Sequence, residues 1–110
     1  MKTLKFTTQL VDKILSGEKT STWRLFDDKD LTVGDKLIFI NKETLEDFGE
    51  AIITSLKLKT LGTLTNDDWV GHEKFSSEEE MYKSYKKYYG DTVNKDSEVK
   101  IITFDFKKNI

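Results

Sequence analysis

Several residue types on which protein chemistry often depends are missing or scarce in this chain of 110 residues, which has no cysteine, no proline and one histidine, His72. Without cysteine, the chain can hold no disulfide, no thiolate zinc site and no cysteine nucleophile. A serine-histidine-aspartate hydrolase would have to use His72. Thiolate, redox-pair and multi-histidine sites are therefore excluded.

Long apolar runs and an excess of positive charge are also missing. The most apolar stretches, residues 37–40 and 51–53, are far shorter than the roughly 20 residues of a membrane-spanning helix, and residues 1–6 lack the apolar core of a signal peptide. A formal net charge of -2 disfavours a protein that coats duplex DNA. We therefore expect a single cytoplasmic domain over residues 1–110, without a membrane span or a duplex DNA partner.

Hydrophobic periodicity predicts an α+β domain. Alternating or β-branched runs predict strands at residues 4–6, 20–23, 37–40, 50–59 and 99–106. Apolar residues at helical spacing predict a helix that ends near Ser16, a short helix through Trp69, and a longer helix that Gly90 terminates. Short turns between the middle strands favour antiparallel pairing and a small curled sheet or barrel over a doubly wound α/β fold.

The densest group of chemically useful side chains is the segment Gly17–Arg24, where hydroxyls, a lysine and the only arginine follow a helix. It is not a nucleotide-binding phosphate loop, because Lys19 lacks the adjacent glycine and follows a helix rather than a strand. A strand that began at Lys19 would point Lys19 and Thr22 to opposite faces. We favour a strand that begins near Ser21, because Lys19 then lies in the preceding turn and its long side chain can reach the face of Thr22 and Arg24.

The pattern Gly17-x-Lys19-x-x-Thr22-x-Arg24 after a helix resembles the ASCH family of the PUA-like superfamily, small β-barrel domains associated with RNA and modified nucleosides. Further features of the resemblance are the Gly34-Asp35 turn, the long strand after Gly49, Glu73-x-Phe75 before a helix, and the hydrophobic final strand. The resemblance covers nearly the whole chain. It implies an α+β fold with a small PUA-like β-barrel of about five to six mostly antiparallel strands and two to three flanking helices.

The resemblance also implies a site. One branch of similar length hydrolyses the amide of N4-acetylcytidine with a lysine, a threonine and a glutamate, which correspond to Lys19, Thr22 and Glu73, with His72 as the competing register for the acid. Other members bind or cleave RNA. The resemblance thus implies a cleft for a nucleoside or single-stranded RNA, with Arg24 in substrate binding. The alternatives are a non-catalytic RNA-binding module and a ribonuclease in which Lys19 and Arg24 stabilise the phosphorane.

The chemistry of these side chains can be argued from their types. A threonine hydroxyl becomes a nucleophile only when a base removes its proton, and Lys19 can act as that base if burial or the Arg24 charge lowers its pKa. A protonated Glu73 would then supply a proton to the leaving amine. Arg24 would face a carbonyl or phosphate oxygen of the substrate.

Aromatic residues near Glu73 have two interpretations. Trp69 and Phe75 flank it and could stack an unpaired base, although such residues are more often core. The tyrosines of residues 81–89 follow helical burial spacing, so we assign them to packing. His72, beside a glycine, is expected to be an exposed loop residue.

Purely structural interpretations stay open for the same residues. Thr22 can be an ordinary strand residue, Lys19 and Glu73 an exposed ion pair, and Arg24 a partner of nearby aspartates. Those aspartates, Asp27, Asp28 and Asp30, lack the full spacing of a calcium loop. We predict no bound metal and no cofactor.

Overall fold

The computed structural model describes residues 2–26 and 29–109, and within them one five-stranded sheet is accompanied by two α-helices. In chain order the elements are β1 (Lys2–Phe6), α1 (Thr8–Leu15), β2 (Ser21–Leu25), β3 (Lys36–Asn41), β4 (Asp47–Thr60), α2 (Glu78–Tyr89) and β5 (Glu98–Lys108). Short 3-10 helices at Leu61–Thr63 and Asn66–Trp69 follow β4. The predicted α+β class is confirmed. The interpretation of Asp27 and Asp28 lies outside the described residues.

The sheet has the strand order β1-β3-β4-β5-β2 and curls into a half-barrel. Strands β3 and β4, β4 and β5, and β5 and β2 pair antiparallel, whereas β1 pairs parallel with β3. The half-barrel is therefore open between β1 and β2. Arg24 bridges this opening, because its Nη2 donates a hydrogen bond of 3.2 Å to the Lys5 carbonyl and its guanidinium lies 5.0 Å from the Phe6 ring centroid.

Among the described residues, the buried apolar side chains form two clusters on opposite faces of the sheet. The first cluster centres on Phe39, whose ring contacts those of Phe6 and Phe104. The second lies under α2. Neighbouring residues of β5 contribute to different clusters, Ile102 to the first and Ile101 to the second, because successive side chains of a strand point to opposite faces.

Helix α2 begins and ends as its sequence predicts. Ser77 Oγ accepts a hydrogen bond of 3.2 Å from the Glu80 N–H, and Gly90 ends the helix with a φ of 102°. Its face is less uniformly buried than helical spacing implied. Tyr85 is buried, but the prediction that all the tyrosines pack is wrong for Tyr88, which is 57% exposed. The apolar face of α2 is wider than the part of the second cluster that it covers, so Tyr88 at its margin remains in solvent.

No helix in residues 2–26 and 29–109 combines the length and the apolar character that crossing a membrane would require.

Candidate functional site

Lys19 lies in the turn between α1 and β2, as the favoured sequence interpretation required. Gly17 ends the helix with a φ of 85°, a conformation that glycine adopts easily, and the Lys19 N–H donates to the Lys13 carbonyl at 3.1 Å. Strand β2 begins at Ser21, two residues later. The ammonium-bearing side chain is turned inward and is only 1% exposed.

The partner of Lys19 is Glu73, which is far away in sequence. The Lys19 Nζ donates to Glu73 Oε2 at 2.5 Å, and the Glu73 side chain is 20% exposed. The interpretation of these residues as an exposed ion pair is therefore wrong. A pair withdrawn from water in this way interacts more strongly than a surface pair and is also more costly to leave incomplete.

Hydrogen bonds between the start of β2 and the loop before Glu73 bring the pair together. The Gly71 carbonyl accepts from the Thr20 N–H at 2.9 Å and from the Ser21 N–H at 3.1 Å, and Ser21 Oγ donates to the Val70 carbonyl at 3.2 Å. Gly71 has a φ of 75°, and a Cβ at this position would overlap Thr20 Oγ1. Only glycine combines this backbone conformation with so close an approach.

His72 is buried, so the expectation of an exposed loop residue is wrong. Its ring stacks on Trp23 with 4.0 Å between centroids, and its Nδ1 donates to the Glu73 carbonyl at 2.6 Å. Its Nε2 lies 3.4 Å from Glu73 Oε1. Glu73, and not His72, therefore contacts Lys19, and His72 holds the Glu73 backbone through its Nδ1–H.

Burial and, to a smaller extent, the nearby Lys19 charge lower the pKa of His72 to about 4, against the opposing effect of Glu73. At neutral pH the imidazole is uncharged. Because a carbonyl oxygen can only accept, the proton of the neutral ring is on Nδ1 and Nε2 is left as an acceptor.

The pKa of Lys19 is lowered, as its proposed role as a base requires. Burial is the largest cause, Glu73 opposes it, and the Arg24 charge adds to the lowering. Burial alone would raise the pKa of Glu73, but the charge and hydrogen bond of Lys19 hold it below its usual range at neutral pH, where His72 is uncharged. The interpretation of Glu73 as a partly protonated acid therefore does not describe the resting site, which holds an ammonium and a carboxylate.

Thr22 and Arg24 lie on one face of β2, opposite Trp23. Thr22 is buried, and its hydroxyl makes no hydrogen bond within the described part of the chain. Arg24 is close enough to Lys19 and Glu73 to influence their charges, and its Nε has no hydrogen-bond partner among the described residues. The structure thus joins Lys19 to Glu73 directly, with Arg24 nearby and no hydrogen bond from Thr22 to either.

Trp69 and Phe75, the expected stacking residues, are partly buried against the second cluster. Trp69 packs edge to face on Trp23, with 4.5 Å between centroids, and on Phe75, with 6.1 Å. Together with Asn66 and Lys74 they line a shallow groove of about 230 Å³. Trp69 also contacts the His72 ring edge to face, with 5.8 Å between centroids, and both aromatic rings line this groove.

Sequence reasoning missed Asp68 as a support of the loop. Its carboxylate accepts from Lys59 Nζ at 2.6 Å and from the Thr65 N–H at 2.8 Å, and Lys57 lies 3.6 Å away. These contacts attach the loop to β4. The capping-box spacing of Thr65 and Asp68 was visible in the sequence, but the lysine partners were not.

Residues 2–26 and 29–109 contain no group of three histidine, cysteine or acidic side chains close enough together to hold a metal ion.

No family model and no curated protein matches the sequence, but solved structures match the fold. A DUF984 protein from Enterococcus faecalis V583 has a TM-score of 0.75 at 15% identity, over 91% of this chain and 71% of that one. An ASCH domain from Lactobacillus crispatus has a TM-score of 0.71 at 15% identity, over 98% and 81%. An ASCH protein from Zymomonas mobilis has a TM-score of 0.69 at 13% identity, over 96% and 68%.

These likenesses confirm the expected fold, which is that of ASCH domains. Because all three identities are 15% or lower, they establish the architecture and leave the chemistry to be argued from this chain's own side chains.

Proposed function

We propose that the cleft of Lys19, Thr22, Arg24 and Glu73 binds a pyrimidine nucleoside and hydrolyses an amide on its exocyclic N4 nitrogen. The observation that carries the proposal is the buried contact between Lys19 and Glu73 beside a strand that bears a threonine hydroxyl. Amide hydrolysis needs a nucleophile, a base and a donor for the leaving amine, and these residue types supply all three.

The protonation states follow from the ion pair. One proton moved along the 2.5 Å hydrogen bond converts the ammonium and carboxylate into a neutral amine and a carboxylic acid. Burial makes this neutral form more favourable than it would be in water, because the proton transfer removes two charges from a low-dielectric environment. Neutral Lys19 is then the base, and protonated Glu73 is the acid.

The reaction balances in two steps. In the first, Thr22 Oγ1 attacks the acyl carbon, its proton passes to Lys19, the carbon–nitrogen bond breaks, and the Glu73 proton goes to N4. In the second, water attacks the resulting ester, gives a proton to Glu73, and the Thr22 oxygen leaves with the proton of Lys19. The products are the free amine of the base and a carboxylic acid, and the site returns to its neutral tautomer.

Arg24 is assigned to substrate binding. Its guanidinium uses one donor on the Lys5 carbonyl, and its Nε–H, which has no partner among the described residues, is the donor we assign to a carbonyl or phosphate oxygen. A permanent cation beside the site also disfavours a protonated Lys19.

The test is a panel of N4-acylcytidines, assayed with a chelator present. Wild-type protein is expected to release free cytidine, and Lys19→Ala and Thr22→Ala to lose at least about 1000-fold in kcat. Exposed Lys36→Ala and Thr92→Ala are matched controls that should retain full activity. A wild-type protein that hydrolyses no acylated nucleoside, or a Thr22→Ala variant that keeps its activity, contradicts the proposal.

The groove of Trp69, Phe75, Asn66 and Lys74 favours a second candidate, a module that binds single-stranded RNA. Aromatic faces with a cation and an amide suit an unpaired base. Salt-sensitive binding of labelled RNA without turnover, weakened by Phe75→Ala and Arg24→Ala, would support this function. Cleavage of the labelled strand in the same assay would instead support a ribonuclease.

A further inference from the structure

An exposed aromatic residue, Phe26, directly follows β2 and lies two residues beyond Arg24. Its side chain is 56% exposed, and its ring meets Tyr89 edge to face with 5.9 Å between centroids. Tyr89 stacks in turn on the buried Tyr85 at 6.1 Å. A row of rings therefore runs from the second cluster out to the surface, and Phe26 is its exposed end.

The backbone of Phe26 is in an unfavourable conformation for its residue type. Its φ of 52° lies in the left-handed region, where a side chain crowds the following carbonyl oxygen. A bulky residue there is a genuine outlier, and such outliers concentrate at ligand sites. The exposed ring stabilises the fold little in return, so neither packing nor backbone geometry accounts for phenylalanine at this position.

The exposed end of this row of rings lies near the Arg24 guanidinium. Arg24 precedes Phe26 by two residues, and the Tyr89 hydroxyl is among the groups that favour the Arg24 cation. The guanidinium spends Nη2 on the Lys5 carbonyl, while Nε has no partner among the described residues. The exposed Phe26 ring thus lies near a cation whose Nε–H is unused among the described residues.

We propose that the exposed face of the Phe26 ring, which Tyr89 supports edge to face, forms a stacking wall for a pyrimidine ring whose carbonyl oxygen faces Arg24. The wall determines affinity for the base and takes no part in bond breaking. The choice of a pyrimidine rests on the proposed function, but stacking can be measured with an unreactive nucleoside. Base–aromatic stacking is typically strong enough that its loss changes affinity about 10-fold or more.

The test measures cytidine binding by calorimetry and thermal stability for Phe26→Gly, Phe26→Ala and Phe26→Tyr. Glycine relieves the left-handed backbone, so Phe26→Gly should melt no lower than wild type and yet bind cytidine about 10-fold more weakly. Phe26→Tyr should bind like wild type. On acylated cytidine, Phe26→Gly should raise KM and leave kcat unchanged.

The matched control is Tyr88→Ala, which removes an equally exposed ring that lies off the row, against Lys42. It should bind cytidine normally. Unchanged cytidine affinity in Phe26→Gly and Phe26→Ala, or an equal loss in Tyr88→Ala, overturns the stacking wall. If no acylated nucleoside is hydrolysed but Phe26→Gly still weakens cytidine binding, the proposed function fails and the wall stands.

Discussion

The buried ion pair of Lys19 and Glu73 is the feature with the most consequences at the scale of single residues. A surface pair of the same composition would contribute little to stability, whereas a pair withdrawn from water makes each partner depend on the other. His72 behind it is held neutral by the same burial. Both features can be tested by substitutions that remove a charge without removing much volume.

Breaking the pair on one side should cost more than removing it altogether. Glu73→Gln leaves the Lys19 ammonium buried without a counter-ion, so we expect a loss of about 3 kcal/mol in the free energy of unfolding. The double variant Lys19→Met with Glu73→Gln should recover most of that loss. Urea unfolding of the single and double variants measures the coupling. Additive losses in the double variant would contradict the buried pair.

Acid should destabilise the protein through His72. Its pKa is about 4 in the folded chain and near 6.5 when unfolded, so the unfolded state takes up the proton first as pH falls. The neutral, buried His72 therefore contributes about 3 kcal/mol to the free energy of unfolding above about pH 6.5. This contribution is lost as the pH falls towards 4. His72→Phe keeps a ring against Trp23 and does not titrate.

Urea unfolding at pH 7.5, 5.5 and 4.5 compares this variant with wild type. Glu73, Asp68 and Asp35 also have lowered pKa values, and protonating them destabilises both proteins in acid, so the extra loss in wild type reports His72 together with its effect on Glu73. Parallel pH profiles would mean that His72 is not the group that titrates.

At the scale of elements, the site depends on how the loop before α2 is attached to the start of β2. The Gly71 carbonyl accepts hydrogen bonds from the N–H groups at the start of β2. On the other side of the loop, the Asp68 carboxylate accepts a hydrogen bond from a lysine of β4. Glu73 reaches Lys19 because both ends of this loop are held. The loop is therefore a positioning element, although it contains little regular structure.

Gly71→Ala should damage the site more than Gly17→Ala. Both glycines have positive φ, but a Cβ at Gly17 meets nothing, whereas one at Gly71 overlaps Thr20 Oγ1. We expect about 1 kcal/mol of destabilisation for Gly17→Ala and at least 1 kcal/mol more for Gly71→Ala. Thermal unfolding and cytidine release are measured together. Equal effects of the two substitutions would show that the close approach to Thr20 does not matter.

At the scale of the whole molecule, one sheet separates two apolar clusters. The sequence contains two tryptophans, Trp23 and Trp69, and both belong to the second cluster or pack against it. Phe39 is at the centre of the first cluster. Because β5 contributes side chains to both, we expect the clusters to unfold together.

Phe39→Leu should therefore shift a signal that comes from the opposite face of the sheet. We expect a loss of about 1–2 kcal/mol, because a smaller side chain leaves a cavity among the surrounding rings. Tryptophan fluorescence and far-ultraviolet circular dichroism should report the same lowered urea midpoint. A fluorescence midpoint that stays at the wild-type value would instead indicate two independently unfolding halves.

Local signals in the sequence were sufficient for the elements and for part of the site. Glycines past the last apolar residue ended both helices, and alternation set the strands. The motif spacing placed Lys19 in a turn, with Thr22 and Arg24 on one strand face. These features depend on interactions between residues within a few positions of one another, so short stretches of sequence are enough to predict them.

Only the tertiary structure decided which groups meet. The contact of Lys19 with Glu73 spans 54 positions and requires a loop seated on the strand, and the same seating buries His72 against Trp23. The exposure of Phe26 depends likewise on where neighbouring elements end. Burial and charge pairing are properties of surroundings assembled from distant parts of the chain, and they turn an ordinary lysine and glutamate into a coupled pair.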